Sequence, residues 1–319
     1  MAYLGIDIGG TKVVLALAGE RGEGLRSVRR PMSLSGDWRQ DLDGLVGWAR
    51  EWLGEARADL RRIGVSVPGP ADPLQGRVLN PPNLPGWLDV PLGPELERAL
   101  GVETRIENDA NAAALAEHAY GSGRGIDDLV YLTMSTGIGG GVISGGQLVR
   151  GAFGAAGEAG HVPIQVGGAL CACGLRGCLE AYVGGNAWRD RLRREAPAQG
   201  RVAALAGGNR ADILPEHLVE AAREGDAYAV DAFGVWLEHL ASGLVPLVML
   251  LEPRRIVLGT IAAAAGEALC FAPLRSRVAA RLWPQQAARL EIVPAALGRA
   301  LPERAGLAVA LEGVEGTLG

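Results

Sequence analysis

Two stretches of this chain repeat one pattern: an apolar run, a glycine turn and a second apolar run. Residues 1–18 read MAYLGIDIGGTKVVLALA and residues 129–143 read LVYLTMSTGIGGGVI. Val, Ile and Leu on both sides of a glycine turn predict a hairpin of two buried strands in each place. The pattern near residue 10 and again near residue 138 predicts two related lobes facing each other across a cleft, and 319 residues suffice for two cores. Backbone without Cβ approaches a ligand closely and turns its N–H groups toward an anion, so paired turns of this kind suit a polyphosphate. Thr11, Lys12 and Thr136 would add hydroxyl and ammonium donors. Neither turn is a P-loop, and TGIGGG lacks the strand-to-helix context of a dinucleotide fingerprint, so an ordinary tight hairpin is the alternative for each.

A strand near Leu25–Ser33, a helix at about Asp41–Asp59 and a strand at Ile63–Val67 are expected next. Eight prolines between Pro68 and Pro94 predict a long ordered loop without regular structure. A short helix (Pro94–Leu100), a strand (Thr104–Glu107) and an alanine-rich helix (Ala110–Tyr120) place Asn108 and Asp109 at a strand-to-helix turn. After the second hairpin, helices at 187–195, 215–224, 227–251 and 266–282 alternate with strands at 255–258 and 291–294, as in a mixed α/β domain. The expected division is a small α/β domain (1–110), a large α/β domain (111–298) and a C-terminal helical segment (299–319) packing back on the small one.

A formal charge of −5 argues against general affinity for nucleic acid or an anionic membrane. The N-terminus carries Asp7 where a signal peptide needs an apolar core. The longest apolar run, Leu240–Leu251, is broken by Pro246 and falls short of the ~20 residues of a bilayer span. A cytoplasmic protein with no nucleic-acid or membrane partner is expected, and there clustered cysteines are more often metal ligands or catalytic groups than disulfides.

Three of the four cysteines fall within one short segment. Cys171, Cys173 and Cys178 with His161 supply three sulfurs and one nitrogen, the closed tetrahedral set of structural zinc. Glu158 and Glu180 flank these ligands, so the metal would hold two carboxylates rigidly, as a polyhydroxylated ligand requires. A solvated surface acid is the alternative for each. Asp7 sits in an apolar strand and must be solvated, paired or near a cation; magnesium held with phosphate would serve. Asn108 and Asp109 are candidate N-caps of the following helix. Alternatively, Asp109 takes a proton from a substrate hydroxyl, with Asn108 fixing the geometry.

Taken together, DIGGTK from Asp7, PNLPGW from Pro82, ENDANAAALAE from Glu107, STGIGGGVI from Ser135, GEAGH from Gly157 and CACGLRGCLE from Cys171 resemble the ROK family of bacterial sugar kinases and repressors, most closely its ATP-dependent glucokinases. The resemblance runs in order from residue 3 to about 186. It implies a two-lobed, actin-like (ribonuclease-H-like) α/β fold with ATP and sugar in the interlobe cleft, usually as a homodimer. It implies Asp109 as catalytic base and Asn83, Asn108, Glu158, His161 and Glu180 as sugar-binding positions. Asp7, Gly9, Gly10, Thr11 and Lys12 match the first phosphate motif, Thr136 and Gly137 the second, and Gly259 the late motif near the adenosine. His161 is then shared, one ring nitrogen on zinc and the other toward a sugar hydroxyl. The implied reaction is Mg²⁺- and ATP-dependent phosphorylation of a hexose 6-hydroxyl, glucose first. A kinase of mannose, fructose or an N-acetylhexosamine is an alternative, as is a sugar-responsive regulator without a DNA-binding domain. One departure stands out: the late motif usually ends in a glycine pair, whereas here Gly259 precedes Thr260. A β-branched residue there is expected to crowd the nucleotide or to resist positive φ.

Overall fold

The first hairpin joins β1 (Ala2–Ile8) to β2 (Lys12–Ala18), antiparallel, with Asp7 opposite Val14 and Ile8 opposite Val13. Strand periodicity sorts β1 by face. Leu4, Ile6 and Ile8 enter one core with residues of α1 (Trp38–Leu53), and Tyr3 enters a second core with Leu307 and Leu311. β3 (Arg26–Pro31) extends the sheet beyond β2, while β4 (Leu60–Val67) pairs parallel with β1. The proline-rich segment is less irregular than expected. It holds a two-stranded ribbon, β5 (Ala71–Asp72) with β6 (Arg77–Val78), and α2 (Leu92–Leu100) begins ahead of Pro94. β7 (Thr104–Asn108) adds in parallel to β4 and leads directly into α3 (Asp109–Tyr120).

The computed structural model describes residues 1–314, so the last five residues of the expected 299–319 segment lie outside the described residues. The described chain forms two units. The first is Met1–Asp127 with Gly141–Gly157 and the chain from Ala296 onward; the second is Asp128–Gly140 with Glu158–Ala295.

In the first unit the sheet order is β3-β2-β1-β4-β7. The C-terminal helix (Leu301–Leu311) lies against β1 and β4 so closely that glycine is required. A Cβ on Gly64 would meet the Ala310 nitrogen at 2.1 Å, and one on Gly306 the Ile6 nitrogen at 2.5 Å. Glu117, wholly buried on α3, accepts backbone N–H groups from Ser122, Ala296 and Leu297 and so ties this helix to the chain entering the C-terminal one.

The second sheet reads β10-β9-β8-β11-β12, from β8 (Leu129–Met134), β9 (Ile138–Ser144), β10 (Gln147–Leu148), β11 (Arg255–Leu258) and β12 (Glu291–Pro294). Numbered by chain order within each sheet, both read 3-2-1-4-5, so the repeat seen in the sequence extends to strand topology. The second unit contains β8, β11, β12 and the first residues of β9, with α4 (Glu180–Val183), α5 (Gly185–Glu195), α6 (Arg201–Leu205), α7 (Pro215–Arg223) and α8 (Ala227–Leu251). α8 is long and apolar enough to cross a membrane, and it continues through Pro246. It serves here as a core helix, with Phe233, Trp236, Leu240 and Leu244 buried and the Trp236 indole donating to the Val183 carbonyl at 3.1 Å. The helix expected from 266 begins earlier, as α9 (Thr260–Gly266), and passes through a π-helical turn at Glu267–Phe271 into α10 (Ala272–Ala279).

Candidate active site and metal centre

In the first unit the candidate residues gather where parallel strands end. Register places Asp7 beside Ser66 and Val67 beside Asn108, while Lys12 opens β2 at the same edge. The carboxyl ends of parallel strands are where open α/β sheets bind ligands. Asp7 accepts the Ser66 hydroxyl at 2.7 Å. Burial pushes its carboxyl up to about 6 and the neighbouring Asp109 adds to the rise, against the opposing pulls of the Ser66 hydrogen bond and Lys12. A carboxylate desolvated in this way gains from a nearby cation. The first glycine turn has a second duty that the sequence does not reveal: a Cβ on Gly10 would lie 2.9 Å from the carbonyl oxygen of the exposed Asn83, so the turn and the PNLPGW loop, anchored by buried Leu84 and Trp87, are in contact.

Asn108 is the N-cap of α3, its Oδ1 accepting the Asn111 N–H at 2.8 Å. The capping role foreseen as an alternative is therefore present, and it leaves the Asn108 amide NH₂ as the polar group available to a ligand. Asp109, exposed on the first turn of α3, stands where the helix dipole favours an anion.

The second unit holds Thr136, Gly137, Glu158, His161, Glu180, Gly259 and the three cysteines. Its glycine turn is pinned to α5: the N–H groups of Gly185 and Asn186 donate to the Ser135 and Thr136 carbonyls, both at 2.9 Å. Glu180 joins this turn to the cysteine segment. One carboxylate oxygen accepts the Ile138 N–H at 2.7 Å and the other lies 3.5 Å from the Cys171 sulfur. A Cβ on Gly137 would lie 2.3 Å from Glu180 Oε2. Glu158 is exposed, and its carbonyl accepts the His161 N–H at 3.0 Å.

The ligand atoms of His161, Cys171, Cys173 and Cys178 all lie within 4.8 Å of one another. His161 Nδ1 is 3.7 Å from the Cys171 sulfur, and the Cys173 and Cys178 sulfurs are 3.8 Å apart. A tetrahedral ion with bonds of about 2.3 Å to sulfur has ligand–ligand edges of roughly 3.8 Å, so the set fits zinc. Burial pushes the Cys171 thiol up to about 12, which keeps it protonated until a cation displaces the proton.

Thr260 departs from the expectation that a β-branched residue resists positive φ. It adopts φ 46°, held by its hydroxyl donating to the Met134 carbonyl at the end of β8. Thr260 and Ile261 line a cavity of about 600 Å³ in this unit together with Thr136, Asn186, Arg189, Leu214, Glu216 and Val219. Of these Thr136 and Thr260 were singled out from the sequence. The rest lie on helices, α5 and α7 among them, or, for Leu214, at the N-cap of α7, and carry no motif.

The ROK family pattern matches residues 3–309. This protein belongs to the ROK family. It is 35% identical over 300 residues to the glucokinase of Thermotoga maritima, covering 93% of each chain. Among solved structures it is similar to the ROK hexokinase of Thermus thermophilus, with TM-score 0.81, 34% identity and coverage of 97% of this chain and 98% of that one. It is also similar to a ROK family glucokinase from Streptomyces griseus in complex with glucose and AMPPNP, with TM-score 0.78, 32% identity and coverage of 98% and 100%. The α/β, actin-like fold class expected from the sequence is thus that of this ROK protein.

Proposed function

We propose that this ROK protein is an ATP- and magnesium-dependent kinase that phosphorylates the 6-hydroxyl of a hexose, with glucose as substrate. The observation that carries the reading is the setting of Asp109. It stands on the first turn of α3, beside Asp7 and the first glycine turn, in a chain about one-third identical to a glucokinase over nearly its full length. Asp109 orients the 6-hydroxyl and accepts its proton as the oxygen attacks the γ-phosphorus in line and the bond from that phosphorus to the departing ADP oxygen breaks. Asn83, Asn108, Glu158, His161 and Glu180 bind the sugar hydroxyls. With Nδ1 of His161 turned to Cys171, its Nε2 is left for the substrate.

Gly9, Gly10, Thr11 and Lys12 on one turn and Thr136 and Gly137 on the other would donate to the phosphates, and Asp7 would hold the magnesium ion. That ion, bound with ATP, neutralises charge on the transferring phosphoryl group. The cavity beside Gly259 and Thr260 takes the adenosine, its apolar wall being Leu214, Val219 and Ile261. Zinc on His161, Cys171, Cys173 and Cys178 is structural, since four protein ligands close its shell. A reducing cytoplasmic setting suits four unpaired cysteines, and Phe153, Val166 and Leu250 leave apolar surface for a second copy in a homodimer.

The test is Asp109→Asn. A general base contributes roughly 10²–10⁴-fold, so glucose-dependent ADP release should fall by at least about 10²-fold in the folded variant. Turnover within a few-fold of the parent would contradict the role.

A further inference from the structure

One charged cluster of the first unit has no part in the reading above, and it centres on Arg150, two residues past β10. Arg150 Nε donates to Glu107 Oε2 at 2.8 Å, while its Nη1 and Nη2 donate to the two carboxylate oxygens of Glu312 at 2.9 and 2.5 Å. Glu107 is wholly buried at the end of β7. Its other oxygen accepts the Asn108 N–H and the Asn111 side-chain amide, each at 3.0 Å. Asn108 and Asn111 bracket Asp109 in the chain. Two of these three donors to the Glu107 carboxylate therefore belong to the turn that presents Asp109, and the third is Arg150.

Glu312 anchors the other end. It caps the C-terminal helix, and its backbone carbonyl accepts from Arg62 on β4 at 3.1 Å and from Arg105 on β7 at 3.2 Å. A buried carboxylate is unfavourable unless paired and fully hydrogen-bonded, and an apolar residue would end β7 at less cost. What the charged arrangement gains is direction, because bidentate guanidinium–carboxylate pairing fixes orientation as well as distance.

We infer that Arg150 is a positioning residue for phosphoryl transfer: through Glu107 it holds the Asn108–Asn111 turn, and with it the Asp109 carboxylate, in line with the substrate hydroxyl. The inference rests on Asp109 being the base of a hexose kinase. Arg150 touches no reacting atom in this account. Its loss frees the turn to shift, and a displacement of about 1 Å at the base costs up to about 100-fold in rate.

Steady-state kinetics with glucose and MgATP, on wild type, Arg150→Met, Arg150→Lys and Glu312→Gln, test this well below each protein's melting temperature. In Arg150→Met, kcat should fall roughly 10- to 100-fold while KM for MgATP stays within about two-fold, since other residues bind the phosphates. Arg150→Lys keeps the charge without the fork and should recover part of the loss. Glu312→Gln, which removes the outer charge alone, should lie between Arg150→Met and wild type. Wild-type kcat in folded Arg150→Met overturns the inference, as does a KM for MgATP that rises in step with the fall in kcat. Should Arg150→Met not fold, wild-type kcat in both Arg150→Lys and Glu312→Gln overturns it equally. A wild-type protein without turnover on any hexose overturns the kinase reading and this inference together, whereas an active wild type with unaffected variants overturns the inference alone.

Discussion

Asp7 and Thr260 each sit in a state their residue type disfavours, and the two are stabilised differently. The Asp7 carboxyl, pushed up to about 6 from its ordinary 3.8, keeps its proton in the folded protein between those values, where the unfolded chain has lost it. Stability from this group is therefore present at low pH and is lost as pH rises from about 4 through about 6. Without magnesium or nucleotide, Asp7→Asn should be more stable than wild type above about pH 6, by no more than about 3 kcal/mol, and the gap should close toward pH 4. Denaturant titrations of the pair at several pH values measure it, and a gap independent of pH would contradict the assignment. MgATP should narrow the gap by giving the ionised carboxylate a partner. Thr260 is held through its hydroxyl, which bonds the Met134 carbonyl and lies 3.4 Å from the Thr133 hydroxyl. Left-handed backbone costs a non-glycine residue roughly 1–2 kcal/mol, which the bond from its hydroxyl to the Met134 carbonyl offsets by about 1 kcal/mol. The hydroxyl bonds to β8, so a β-branched residue that the sequence suggests would resist positive φ is accommodated by the strand beside it.

The cysteine segment shows what an element does when it lacks a core of its own. Residues 159–178 contain one short 3₁₀ turn and isolated bridges, Pro163 with Cys178 and Leu170 with Arg176, and much of the segment is exposed. A segment with so little buried apolar surface cannot order itself, so the four-ligand cluster must do it. The protein as purified should carry about one zinc per chain. Stripping it should lower Tm by on the order of 5 °C and make this segment the first site of limited proteolysis. Metal-free protein with unchanged Tm and cleavage pattern would remove zinc from the account. Glu180, bonded to the Ile138 N–H and lying against Cys171, should pass the disturbance to the second glycine turn. KM for ATP should consequently rise in the stripped protein.

At the scale of the whole molecule, the sequence announces what is local and repeated. Two glycine hairpins at corresponding places foretell two sheets of one topology, and the spacing of His161, Cys171, Cys173 and Cys178 foretells their convergence. Asp109 at a strand-to-helix turn was legible because β7 runs into α3 without a break. Partners distant in sequence left no such trace. Nothing in the composition pairs Arg150 with Glu107 and Glu312, and the cavity residues Arg189 and Glu216 sit on ordinary amphipathic helices. The glycines of β1, β4 and the C-terminal helix read as weak strand and helix formers, although close packing demands them. The central claim, that these parts make a glucose kinase, is tested most directly by coupled measurement of ADP release. The assay uses MgATP against glucose, mannose, fructose, N-acetylglucosamine and N-acetylmannosamine. Glucose should turn over with a kcat/KM at least about tenfold above any other sugar, the discrimination that one well-placed hydroxyl contact supplies. Folded, zinc-holding protein that releases no ADP with any of the five would contradict it.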